Sequence, residues 1–77
     1  MEILRSWPHQ VATRVRSLIA ASGHTEERVG SDAGITDATM SGRLDGHTPF
    51  TLGELERIAA TLEISPARFF EPKETSR

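Results

Sequence analysis

The sequence predicts an all-α fold: one compact domain of five short helices. Three observations point to it. Apolar residues recur three and four positions apart in successive segments, and no segment reads as a strand. A hydroxyl residue stands where each helix should open, at Ser6, Thr25, Thr36, Thr51 and Ser65, where its oxygen can accept a backbone N–H that the first turn leaves unpaired. Glycines stand where helices should close, at Gly23, Gly34 and Gly46.

The first helix is expected over about 7–22. Ser6 caps it, Pro8 suits its first turn, and Gly23 suits a left-handed exit. Trp7, Val11, Val15, Leu18 and Ile19 form its apolar stripe. Trp7 reads first as a core anchor and second as a platform for stacking bases. The second helix starts after Thr25 and ends near Ala33, with Val29 and Ala33 four residues apart on the core side. The third opens at Thr36, with Ile35 and Met40 spaced as a hydrophobic staple, and Gly46 follows it. The fourth has the strongest local signature. Thr51 and Glu54 have the spacing of a capping box, Phe50 and Leu55 that of a staple, and Leu52, Leu55, Ile58, Ala59 and Leu62 make an amphipathic stripe. The fifth is short: Ser65 caps it, Pro66 takes its first position, and Ile64 and Phe69 staple it. The chain then divides into an N-terminal arm at 1–6, a helical domain at 7–70 and a polar, flexible tail at 71–77. Glu2-Ile3-Leu4 suits three states equally: an extension of the first helix, a free arm, or a strand paired across a dimer.

Length and composition bound the function. A chain of 77 residues makes a single domain with a small core that must pack well. The absence of cysteine excludes a disulfide framework and a thiolate metal site, and fits a reducing compartment. No apolar run approaches the ~20 residues that span a bilayer, and residues 1–6 lack the apolar stretch of a secretion signal. The expectation is a soluble cytoplasmic protein with no membrane partner. His9, His24 and His47 are scattered without ligand spacing, so no metal site is expected, and no cofactor. There is no glycine-rich phosphate loop, no pair of buried carboxylates and no nucleophile–base pair, and most Ser and Thr residues are explained as caps; the chain reads as a non-enzyme.

The stretch 25–46, TEERVGSDAGITDATMSGRLDG, carries the functional signal. Two short helices meet at a tight turn on Gly34, and the second opens on a hydroxyl and closes on a glycine. That is the grammar of a helix-turn-helix, whose second helix enters a DNA major groove. The formal net charge of −2 weighs against a nucleic-acid partner, since such proteins are often basic. Phosphate contact depends on local charge, however, and Arg14, Arg16, Arg28 and Arg43 lie toward the DNA-facing half.

From Val11 to Phe70 the chain resembles the helix-turn-helix family of phage repressors, Cro proteins and bacterial xenobiotic-response regulators. The residues that carry the likeness are Thr25, Val29, Ala33-Gly34-Ile35-Thr36, Thr39-Met40-Ser41, Leu44-Asp45-Gly46, Leu55, Ile58-Ala59, Leu62 and Phe70. The run RLDGHTPFTLGEL is similar to a variant common in actinobacteria and their phages. The resemblance implies a compact five-helix repressor-like domain that binds double-stranded DNA, with the third helix (about 37–45) reading bases. It places base contact on Asp37, Ala38, Thr39, Ser41, Gly42 and Arg43. It places phosphate contact on Thr25, Glu26, Arg28, Thr36, His47 and Thr48.

The reading positions depart from the family pattern. Many relatives carry Gln where Glu26 stands, and a carboxylate there is repelled by phosphate unless it turns aside to cap its own helix. Ala38 has no polar group and Gly42 no side chain. Asp37 can only accept, as from the exocyclic amine of cytosine, and Ala38 can touch a thymine methyl. Each candidate also has a purely structural reading. Thr25 caps its helix, Asp37 complements a helix dipole, and Arg43 pairs with Asp45 or Asp37; His24 and His47 are solvated loop residues. Gly42 marks either a close approach of backbone to DNA or protein, or a reading helix put to another use. A single unit offers few base contacts, so a DNA-binding form implies a homodimer on a pseudo-palindrome with half-sites roughly 34 Å apart. Ile3, Leu4, Phe69 and Phe70 are the apolar residues placed for that contact, with burial in the monomer's own core the leading reading of the phenylalanines. The alternative reading is a protein-interaction module on the same fold, an antirepressor-like or antitoxin-like adaptor with a protein partner.

Overall fold

A computed structural model describes residues 2–70, with side chains from His9 onward. The expectations placed on the side chains of Ile3, Leu4, Ser6 and Trp7, and on the 71–77 tail, lie outside the described residues. The chain forms α1 (Glu2–Ser22), α2 (Glu26–Asp32), α3 (Asp37–Leu44), α4 (Leu52–Leu62) and a 3-10 helix at Pro66–Phe70, with no strand among the described residues.

Local chemistry sets the helix starts. Thr25, Thr36 and Thr51 all have extended backbone and accept from the N–H three residues on, at Arg28, Thr39 and Glu54. The box at α4 is reciprocal. Glu54 N–H donates to the Thr51 hydroxyl at 3.1 Å, and the Thr51 N–H donates to the Glu54 carboxylate at 2.9 Å.

The exits are equally local. Three helices close with the same pair of bonds, the outer one spanning six residues and the inner one four, as in the Schellman motif. In α2, Ile35 N–H reaches Gly30 O and Gly34 N–H reaches Ser31 O. In α3, His47 N–H reaches Gly42 O and Gly46 N–H reaches Arg43 O. In α4, Ile64 N–H reaches Ala59 O and Glu63 N–H reaches Ala60 O. The motif requires a left-handed residue, and Gly34 (φ 75) and Gly46 (φ 81) supply it. At α4 the residue is Glu63 at φ 61, which the sequence did not signal.

Two expectations are corrected. α1 begins at Glu2, so residues 2–6 are helical rather than an arm, and Ser6 lies inside the helix instead of capping it. Leu4 and Arg5 are good helix formers; Pro8, expected in the first turn, is the seventh residue of α1, where a proline gives up the bond to the carbonyl four residues before it and crowds that carbonyl. The fifth helix is a 3-10 turn rather than an α-helix. Ser65 still caps it through the Ala67 N–H, and a segment of five residues satisfies more of its groups with i to i+3 bonds.

The core is a continuous cluster of Val11, Val15, Ile19, Val29, Ala33, Ile35, Met40, Leu44, Leu55, Ile58, Ala59 and Phe69, flanked by Leu18, Phe50, Leu62 and Ile64. Helical spacing marks most of this set; it does not mark Leu44, and Leu52, which it does mark, is 62% exposed at the first position of α4. The radius of gyration is 11.9 Å, close to the ~11.5 Å of a compact chain of this length. α1 and α4 form the support. α3 packs on α1 and α2, α2 also packs on α4, and the 3-10 helix closes against α1 and α4.

Gly46 has a second duty in this packing. A Cβ on it would sit 2.9 Å from His9 Nδ1 and 3.5 Å from His9 Cα, so the α3 exit passes directly over α1. Gly46→Ala is therefore expected to cost about 1–2 kcal/mol, from left-handed strain with some displacement of His9. Urea denaturation followed by circular dichroism measures it, and an unchanged midpoint would remove the close crossing from the account.

Candidate functional site

The segment from Thr25 to Thr48 presents one continuous face. It is anchored from behind by Val29, Ala33, Ile35, Met40 and Leu44, all buried. Gly30 is buried where α2 crosses α3, and a Cβ there would lie 3.4 Å from Ile35 O and from the Met40 side chain. A small residue at this point lets the two helices approach. Arg57 of α4 fixes the turn from below: its Nε donates to Ala33 O at 2.7 Å, pairing a carbonyl that the end of α2 leaves open. No local sequence signal connects residues 33 and 57, and sequence reasoning missed this bond.

On the solvent side α3 exposes Asp37, Ala38 and Ser41, with Thr39 and Gly42 half-buried beside them. Asp37, Ala38 and Ser41 occupy positions i, i+1 and i+4 and share one side of the helix. The Thr36 hydroxyl donates to that of Thr39 at 3.0 Å and accepts from its N–H. Among the described residues nothing lies within 4 Å of where a Gly42 Cβ would stand, and none of them makes a packing demand that explains the glycine. Gly42→Ala is expected to stabilise the fold by up to ~1 kcal/mol through helix propensity alone. A destabilised Gly42→Ala in chemical denaturation would reveal an intramolecular contact that the geometry does not contain.

The charges of this face are mostly committed. Glu26 does not cap α2; its carboxylate takes Arg16 Nε at 2.8 Å, tying α2 to α1. Arg28 bonds Asp32 one turn along at 3.2 Å, in an exposed pair of little energetic weight. Between Thr25 and Thr48 there are five carboxylates, Glu26, Glu27, Asp32, Asp37 and Asp45, against Arg28 and Arg43. Glu26, Glu27 and Asp37 line the shallow groove between the start of α2 and α3, with Arg16 as its cation. A phosphate at that helix end would meet more negative charge than positive.

Arg43 goes elsewhere than expected. Its Nε donates to Glu54 Oε1 at 2.8 Å and its Nη2 to Glu54 Oε2 at 3.0 Å. The side chains are 19% and 11% exposed. The structural reading of Arg43 holds in kind, an ion pair, but the partner is Glu54 rather than Asp45 or Asp37. Its Nε and Nη2 are both committed to Glu54. The Arg43 hydrogen bonds outweigh the burial penalty and hold the Glu54 carboxyl below its ordinary 4.5, while Arg43 is raised by the same bonds. In acid the unfolded chain thus binds this proton first. The stability supplied by Glu54 is complete above about pH 5 and is lost as pH falls below 4.5 through the lowered value. The stability gap between wild type and Glu54→Gln should be constant above that window and shrink below it. Thermal melts from pH 7 to pH 3 measure this, and a gap that widens in acid would contradict the assigned direction.

His47 and Thr48 are exposed on the loop after α3, but their backbone N–H groups point back to Gly42 O, at 3.1 and 3.5 Å. Their backbone N–H groups are thus spent within the loop. Thr25 and Thr36 are exposed caps. Phe69 and Phe70, paired in the sequence reading, part company: Phe69 is 2% exposed and Phe70 43%. Among the described residues no helix is long and apolar enough to cross a membrane, and no group of His, Asp or Glu could hold a metal ion. No family model matches the chain, and no curated protein or solved structure matches it.

Proposed function

We propose that this protein is a sequence-specific, non-enzymatic DNA-binding regulator of the Cro-like or small-repressor kind. α2, the turn at Gly34 and α3 act as a helix-turn-helix, with α3 in the major groove of double-stranded DNA. The observation that supports it best is the shared, unobstructed side of α3, where Asp37, Ala38 and Ser41 stand exposed over a buried Met40–Leu44 anchor. Asp37 accepts from a cytosine amine, Ala38 contacts a thymine methyl, and Ser41 serves either sense of hydrogen bond. Gly42 leaves room for the groove wall. Thr25, Thr36, His47 and Thr48 flank this side and contact the backbone. Arg28 joins them, since its exposed pair with Asp32 is easily exchanged for a phosphate. So few base contacts call for two copies on a two-fold site, with half-sites roughly 34 Å apart.

The charge pattern makes this reading quantitative. Arg28 sits in an exposed pair on this face, whereas Arg16 is held by Glu26 in the acidic groove. One ionic phosphate contact per copy gives a slope of log affinity against log salt of about −1 per copy. Fluorescence anisotropy of a labelled duplex at several salt concentrations reads it. A slope near zero, with weak binding throughout, would instead favour a protein partner for this face. The excess of carboxylates between Thr25 and Thr48 is the observation on that side.

A further inference from the structure

We infer that Arg43 and Glu54 govern DNA binding together and without touching DNA: the pair is a strut that holds α3 and the 45–50 loop in their binding pose. The inference rests on the DNA-binding reading above. Arg43 is the penultimate residue of α3, and Glu54 is the third residue of α4. One carboxylate gathers the two ends of the loop. Its Oε1 accepts from Arg43 Nε at 2.8 Å and from Thr51 N–H at 2.9 Å, and its Oε2 accepts from Arg43 Nη2 at 3.0 Å. α3 packs chiefly on α1 and α2, so this pair is its main polar link to α4. The loop it spans bears His47 and Thr48, whose backbone groups are turned to Gly42. A planar, two-pronged contact fixes direction as well as distance, which a lysine ammonium does not. Arg43 and Glu54 are thus positioning residues, and the exposed reading residues of α3 depend on them for orientation.

The test compares wild type, Arg43→Lys, Glu54→Gln and the double variant, at a temperature where circular dichroism shows all four folded. Glutamine keeps an oxygen for the Thr51 N–H and so preserves the capping box. Binding to a duplex recovered by selection is read by anisotropy, and loop protection by amide hydrogen exchange at His47 and Thr48. A strut predicts equal losses in the two single variants, on the order of tenfold, with the double variant no worse than either. It also predicts an unchanged salt slope and faster exchange at both amides. If Arg43→Lys, which keeps the charge, binds like wild type with an unchanged slope while Glu54→Gln is weakened, Arg43 touches phosphate and the strut is overturned. Unchanged affinity or unchanged loop exchange in all variants overturns it as well. A wild-type chain that binds no duplex defeats the DNA reading, and this inference with it.

Discussion

Phe69→Ala is expected to cost about 3–5 kcal/mol, the usual range for removing a buried phenylalanine. The total stability of a domain of this length is only about 4–12 kcal/mol, so the variant should lose a large share of it and melt well below wild type. Phe69 is 2% exposed and belongs to the cluster that joins α1, α2, α3 and α4. The 3-10 helix that carries it closes against both α1 and α4, and its removal would open a cavity between them. Phe70→Ala, by contrast, truncates a ring that is 43% exposed and should cost far less. Urea titration of both variants at two protein concentrations makes the comparison. A small and concentration-dependent effect at Phe69 would mean that it serves contact between copies rather than the core.

Arg43→Ala is expected to lower stability by about 2–4 kcal/mol. The deletion leaves the Glu54 carboxylate, only 11% exposed, with the Thr51 N–H and no counter-charge. An unpaired, poorly solvated charge is the costly outcome, more so than the loss of the attraction itself. Glu54→Gln should cost less, because a neutral amide tolerates the site and keeps the cap. The Arg43→Ala loss should also shrink when Glu54→Gln is already present, a coupling that a double-mutant cycle reads directly. A loss below ~0.5 kcal/mol in Arg43→Ala would place Arg43 in solvent and restore it as a candidate for direct DNA contact.

The fold was legible because its signals are local. Thr25, Thr36 and Thr51 cap where their side chains predict, since a cap needs only the three residues that follow it. Gly34 and Gly46 turn left-handed because the Schellman bonds need such a residue at that place. The start of α1 was not legible at Ser6: a hydroxyl permits a cap and does not compel one. Glu63 was missed because a non-glycine residue takes left-handed geometry only against a cost of about 1–2 kcal/mol, so nothing in its side chain signals the turn.

The site divides along the same line. Asp37, Ala38 and Ser41 lie on the solvent side of α3, as helical spacing requires. The partners of the charged residues were not legible. Arg16 finds Glu26, Arg43 finds Glu54, and Arg57 finds Ala33 O, across separations of 10, 11 and 24 residues. Each is set by the packing of two helices rather than by the sequence between them. These tertiary pairings also determine which cations of the face are held in buried pairs and which in exposed ones.

The most direct test is selection of the purified protein against a randomised duplex pool at near-physiological salt. The account predicts enrichment of a two-fold symmetric motif with half-site centres roughly 34 Å apart, lost in a variant carrying Asp37→Ala and Ser41→Ala. Recovery of no motif, with no binding even at low salt, would contradict it and assign the acidic face to a protein partner.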